Sequence, residues 1–160
     1  MDSRRGSVEL SAGQASCVVA ATKLPAGTRH LTASYSFTSL YSDTPDLAPS
    51  TSAAQTLTVA KASSKVALAL SAARVTYGHE RSERLTVKVA GQYAGTPSGK
   101  VTVKSGKATV GSVTLASGTG SCTLAARELP VGTGTLTAVY GGNGGFTGAA
   151  SARKALKVVK

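Results

Sequence analysis

Residues 111–140, GSVTLASGTGSCTLAARELPVGTGTLTAVY, restate residues 6–35, GSVELSAGQASCVVAATKLPAGTRHLTASY, with 17 of 30 aligned positions identical. The shift of 105 residues lays Cys17 on Cys122, Leu24-Pro25 on Leu129-Pro130 and Tyr35 on Tyr140. Self-similarity at a fixed offset marks a repeated structural unit. Beyond Tyr35 the offset drops by six to 99, so Ser52 falls on Ser151 and residues 56–59 fall on 155–158. The missing residues are loop, since 36–46 is eleven residues where 141–145 is five. Insertions of this kind belong to surface connections. Residues 1–61 are therefore the C-terminal part of one repeat, and residues 62–160 are a complete one.

Comparing the copies also shows which side chains face inward. In Leu31-Thr32-Ala33-Ser34-Tyr35 and Leu136-Thr137-Ala138-Val139-Tyr140 the first, third and fifth residues agree while the fourth changes. Agreement at period two predicts a strand with one buried face. By the same reading Val8, Leu10, Cys17, Val19, Leu57 and Val59 point inward, as do Val113, Leu115, Cys122, Leu124, Leu156 and Val158. Alternation over the complete repeat predicts strands at 65–71, 84–90, 100–104, 109–115, 121–126, 134–140 and 154–159, separated by Gly, Pro and Ser turn signals. No window of eleven or more residues sustains a helical period. Seven short strands in about 100 residues predict an all-β, immunoglobulin-like β-sandwich.

The motifs at these positions resemble a known family. The run Gly95-Thr96-Pro97-Ser98-Gly99-Lys100-Val101-Thr102-Val103 is followed by Gly111-Ser112-Val113-Thr114-Leu115, then Leu129-Pro130-Val131-Gly132-Thr133, then Leu136-Thr137-Ala138-Val139-Tyr140 with Phe146 after it. Together these resemble the bacterial immunoglobulin-like repeat of group 3. The resemblance covers residues 64–160 and, from Gly6 to Val59, half of a preceding copy. It implies a tandem module of a bacterial surface, adhesion or secreted protein, extracellular and lying beside neighbouring repeats of the same polypeptide. The loop Gly141-Gly142-Asn143-Gly144-Gly145 lacks the family's usual Asp, and the first copy replaces it with the longer 36–46 segment. A shared loop function is thereby put in doubt, whereas the fold is not.

Charge is unevenly placed. Residues 1–61 hold five Lys or Arg against four Asp or Glu, a net of +1, while residues 62–160 hold thirteen against three, a net of +10. Such an excess suits either a solvated surface or an acidic partner such as an anionic glycan. No apolar run approaches the roughly 18 residues of a membrane-spanning helix. The N-terminus lacks a secretory pattern, because Arg4-Arg5 precedes an alternating stretch containing Glu9. An exported parent would make this chain an internal fragment.

Few residues offer chemistry. Each copy carries one Cys, so an intradomain bridge is excluded, and Cys17 and Cys122 are expected as buried free thiols in separate cores. His30 and His79 have no Cys, Asp or second His at ligand spacing. The complete repeat contains no Asp, and its Glu80, Glu83 and Glu128 are scattered, while Asp43 and Asp46 read as a solvated turn. Asn143, the sole Asn, sits in a Gly-rich loop and gives little support to an isopeptide bond. Hydroxyls without a base are not nucleophiles. The sequence therefore nominates no catalytic residue, no metal ligand and no cofactor.

One electrostatic constellation remains. With strands 100–104 and 154–159 in one sheet, Lys100, Lys104, Lys154 and Lys157 are expected to form an outward basic face able to meet an anionic cell-wall polymer or glycan. Nucleic acid is disfavoured as a specific partner, because no aromatic side chains are interleaved for base stacking. The leading expectation is a non-catalytic spacer module, with an adhesive module as the alternative. The half repeat would leave strand edges open, so it must be disordered, packed on the complete repeat, or completed by a second chain in a homodimer.

Overall fold

The computed structural model describes residues 6–20, 22–36 and 48–160. Four short strands lie in the first part: β1 (Gly27–Leu31), β2 (Ser34–Tyr35), β3 (Ser50–Thr51) and β4 (Gln55–Val59). The second part contributes β5 (Ser64–Leu70), β6 (Arg74–Thr76), β7 (Arg84–Gly91), β8 (Gly99–Ser105), β9 (Ala108–Leu115), β10 (Thr119–Thr123), β11 (Gly132–Tyr140), β12 (Ala149–Ala150) and β13 (Lys154–Val159). A single 3-10 turn at Glu80–Ser82 is the only helical element among the described residues.

Residues 64–159, the segment expected as a complete repeat, form a two-sheet sandwich. One sheet has the order β10-β7-β5 and the other β6-β13-β11-β8-β9, with β12 pairing β11. Every pairing within them is antiparallel except that of β6 with β13. The chain reaches β6 by leaving the first sheet after β5 and crossing to the second. Seven of these strands answer the sequence expectation, whereas β6 and β12 are too short to show a period. Inward residues alternate as expected, and Leu85, Val87, Val101, Val103, Leu136, Ala138 and Leu156 are fully enclosed. Between Val103 and Lys104 the pairing with β9 slips past Val110. The bulge turns Val110 inward beside Val113, which keeps both in the core despite their spacing of three.

Residues 27–59, in the segment expected as a half repeat, keep the pairing of residues 132–158. Gly27↔Val59 through Leu31↔Gln55 is the register of Gly132↔Val158 through Leu136↔Lys154 under the same sequence offsets. Ser34↔Thr51 and Tyr35↔Ser50 likewise repeat Val139↔Ala150 and Tyr140↔Ala149. Even the serine latch recurs: the Ala33 N–H donates to Ser52 Oγ at 3.0 Å, as the Ala138 N–H does to Ser151 Oγ at 3.0 Å. Burial is what the half repeat lacks. Leu31 and Leu57 are 40% and 41% exposed, where their counterparts Leu136 and Leu156 are 0%. The inward expectation for Val8, Leu10, Cys17, Val19 and Leu57 is corrected: all are exposed, because among the described residues no second sheet lies over them. Removing one such side chain from water contributes roughly 1.5–3 kcal/mol, and that gain is forgone here.

Chain direction follows from the pairing. Ala62 enters the complete module at the end where it bridges Phe146, and Val159 leaves at the opposite end, accepting a hydrogen bond from the Tyr77 N–H at 2.7 Å. Only residues 60–63 separate β4 from β5. Around that junction Thr22, Leu24 and Pro25 of the half repeat line one groove with Tyr93, Gly95 and Phe146 of the complete one. The two parts thus meet end to end.

Candidate functional site

The larger sheet of the complete module presents a face of hydroxyls and cations. On β8 the enclosed Val101 and Val103 turn Lys100, Thr102 and Lys104 outward. Across β11, Lys104 stands opposite Thr137 and Thr102 opposite Val139, while β13 places Lys157 opposite Thr133. On the far edge Arg74 of β6 lies beside Lys157. Thr109, Ser112 and Thr114 of β9 complete the face beside Lys104, Thr102 and Lys100. Threonine suits such positions, because its branched carbon packs on the pleat while its hydroxyl stays in water.

Lys154 departs from the expected group. Its register partner is the enclosed Leu136, and it shares the parity of Leu156 and Val158, so it belongs to the inward row. It stays exposed because it lies at the sandwich rim, where it lines an open groove with Leu68, Leu70 and Ser71. The structure therefore places Lys100, Lys104 and Lys157 on one outer face, spread along its length, and adds Arg74, which sequence reasoning missed because β6 is too short to show alternation. The opposite sheet is also basic: enclosed Val66, Leu85, Val87 and Val89 alternate with Lys65, Arg84 and Lys88. Positive charge is thus spread over both outer faces.

Two carboxylates that could have balanced it are inside. Glu83 accepts hydrogen bonds from the Ser71 N–H at 2.8 Å, the Ser71 hydroxyl at 3.0 Å and the Ala72 N–H at 3.0 Å, holding the crossing from β5 to β6. Glu80 Oε2 accepts the Arg127 N–H at 2.8 Å. Burial alone would raise the Glu80 pKa, but the N–H groups of Arg127, Glu80 and Gly78, with His79 nearby, hold it below its ordinary value. Neither role was legible as chemistry. The signal available was two Glu residues three apart in a module otherwise nearly free of carboxylates.

The remaining candidates stand apart. Cys17 and Cys122 are both free thiols; Cys122 is half-buried against the core, where burial pushes its pKa up, whereas Cys17 is exposed. His30 is exposed and meets Thr56 Oγ1 across the β1–β4 pair at 3.3 Å. Asn143 Oδ1 accepts the N–H groups of Gly145 and Phe146, each at 2.9 Å, so its side chain shapes its own loop. Asp43, Asp46 and the 36–46 loop after Ser36 lie outside the described residues. Among the described residues no three His, Cys, Asp or Glu side chains converge as a metal site, and no helix is long and apolar enough to cross a membrane.

Comparison with known proteins follows this architecture. No curated protein matches the chain. Among solved structures it is similar to the fibronectin(III)-like modules of Clostridium thermocellum CbhA, at 24% identity over 58% of this chain and 93% of that one, with a TM-score of 0.39. The model of the bacterial Ig-like domain (group 3) matches residues 68–159, the span of the two-sheet sandwich from within β5 to the end of β13. On that match, the chain belongs to the bacterial Ig-like domain (group 3) family.

Proposed function

We propose that this chain is a non-catalytic spacer segment of a bacterial surface or secreted protein. The observation that carries the reading is the direction of the chain. The complete module is entered at Ala62 and left at Val159 on opposite ends, and the half repeat abuts the entry end. Modules joined in that manner add length with each copy, and their contacts stay between neighbours. Family membership supports a structural module lying in tandem with others. Small-angle X-ray scattering tests the geometry. A compact globule of this length has a radius of gyration of about 15 Å; a clearly larger value is expected here, and a value at the compact limit would sink the spacer reading.

A second reading rests on a separate observation. Lys100, Lys104, Lys157 and Arg74 share one outer face, while Glu80 and Glu83 are buried. That face suits adhesion to an anionic cell-wall polymer or glycan, by charge and not by a shaped pocket.

A further inference from the structure

We infer that the free edge of β5 is a docking site for an extended segment of a partner polypeptide in which apolar and acidic side chains share one face, and that this segment adds to the β10-β7-β5 sheet as a fourth strand. The hydrogen bonds at the two ends of the β5–β7 pair fix which backbone groups are free. The Gln92 N–H donates to Ser63 O at 2.9 Å and the Ser71 N–H to Arg84 O at 3.0 Å. Bonded and non-bonded pairs alternate along an antiparallel ladder. In the register of β5 on β7, Lys65, Ala67 and Ala69 therefore bond β7, while the N–H and C=O groups of Val66, Leu68 and Leu70 point away from it.

That edge is unusually open. Sheet edges are ordinarily blunted by short length, charge, proline or a bulge. The edge strand β9 has a bulge opposite Val103 and Lys104, and its Gly111 packs on Cys122 of β10. The edge strand β10 is only five residues long. By contrast β5 keeps seven consecutive pairs without a bulge, contains no proline and carries Lys65 as its one charge. Its outward Ala67 and Ala69 are small and exposed.

The chemistry of the occupant follows from what lies beside the edge. In the facing sheet β6 pairs only with Lys157–Val159, so Lys154–Leu156 of β13 have no strand on that side among the described residues. The groove left there is lined by Leu68, Leu70, Ser71, Ala73 and Lys154. Side chains of an added strand that stand opposite Val66, Leu68 and Leu70 would point into it, because paired residues share a face. Two would meet an apolar floor and the one opposite Leu70 would meet the Lys154 ammonium. The Glu83 carboxylate on the same crossing is buried and taken up by Ser71 and Ala72, so it leaves that ammonium to a partner. A second copy of this chain fits poorly. Its own β5 brings no carboxylate to Lys154, and the net charge of +11 repels it.

The test uses the full chain and, as probe, the end-capped peptide Thr-Glu-Thr-Leu-Thr-Val-Thr, which in antiparallel register sets Glu opposite Leu70, Leu opposite Leu68 and Val opposite Val66. With free peptide at about ten times its Kd, amide hydrogen exchange at Val66, Leu68 and Leu70 should slow roughly tenfold. Exchange at Lys65, Ala67 and Ala69, already bonded to β7, should not change. N-methylation of the peptide's Leu, whose N–H faces β5, should abolish the effect. Lys154→Glu, at an exposed position, should weaken binding by tenfold or more, and a peptide with Lys in place of Glu should restore it. No slowing at millimolar peptide would overturn the inference, as would binding that survives Leu N-methylation or is indifferent to Lys154→Glu. Protection of the same three amides in the concentrated chain alone would make a second copy the occupant and overturn it too. None of these outcomes bears on the scattering test of the spacer geometry.

Discussion

Glu80 reaches across 47 residues of sequence to accept the backbone N–H of Arg127 at 2.8 Å, tying the 3-10 turn before β7 to the connection between β10 and β11. Arg127 is in the left-handed region, at φ 62°. The carboxylate thus accepts an N–H presented by a backbone conformation that a non-glycine residue adopts reluctantly.

The pH dependence follows from that bond. The pKa of Glu80 in the folded protein is held below its ordinary value of 4.5. A depressed folded pKa stabilises the fold above the unfolded pKa, and that contribution is lost as pH falls through the folded value. The Tm of the complete module should therefore decline as the pH drops below about 4.5. In Glu80→Gln the pH 7 Tm should be lower and the acid decline shallower, as followed by circular dichroism. An acid decline identical in both proteins would remove Glu80 as its source.

Close packing at β10 supplies a second prediction. A Cβ at Gly120 would overlap the Val113 side chain and lie 2.7 Å from Thr114 O, which is backbone and cannot rotate away. Overpacking of this kind costs about 1–3 kcal/mol. Gly120→Ala should lower the urea midpoint with an unchanged m-value; an unaltered midpoint would show that β10 can shift at no cost.

The alternation that predicted the sandwich was legible because both sheets bury one face, so Leu136, Ala138 and Tyr140 had to repeat at every second position. The same alternation sets Lys154 in the row of Leu156 and Val158, and grouping it with the outward lysines ran against its parity. Its exposure comes from the rim, and strand ends are not marked in a periodic pattern. Burial of Glu80 and Glu83 was not legible, because hydrogen bonds to Arg127 and Ser71 depend on a crossover between sheets that local sequence does not encode. Exposure of Leu31 and Leu57 was not legible either, because it depends on the absence, among the described residues, of a covering sheet over an otherwise intact register.

That absence makes the two cysteines a direct probe. Cys17 is exposed, while Cys122 is half-buried and its thiol pKa is pushed up by burial, against a hydrogen bond with the Ser112 backbone. The thiolate is the reactive form. Under native conditions at pH 8, one thiol should react rapidly with iodoacetamide, and peptide mapping should identify it as Cys17. Cys122 should follow at comparable speed only in denaturant. Equal native rates would contradict the burial difference between the copies.

The basic face yields a prediction that separates adhesion from solvation. Heparin, as a model polyanion, should retain the chain at low salt and release it steeply as salt rises, since the driving force is release of counterions. Exchanging Lys100, Lys104, Lys157 and Arg74 to Glu should shift elution to markedly lower salt, because those four share one outer face. Lys154→Glu, at the rim and in the inward row, should shift it less than any one of them. The opposite sheet provides the control, since Lys65, Arg84 and Lys88 carry like charge on the other face. If reversing those three moves elution as far as reversing the four, retention follows net charge alone and the larger sheet holds no site. If only the four matter, the geometry of β6, β13 and β8 selects the polymer, and adhesion becomes a property of that face and not of the module's overall charge.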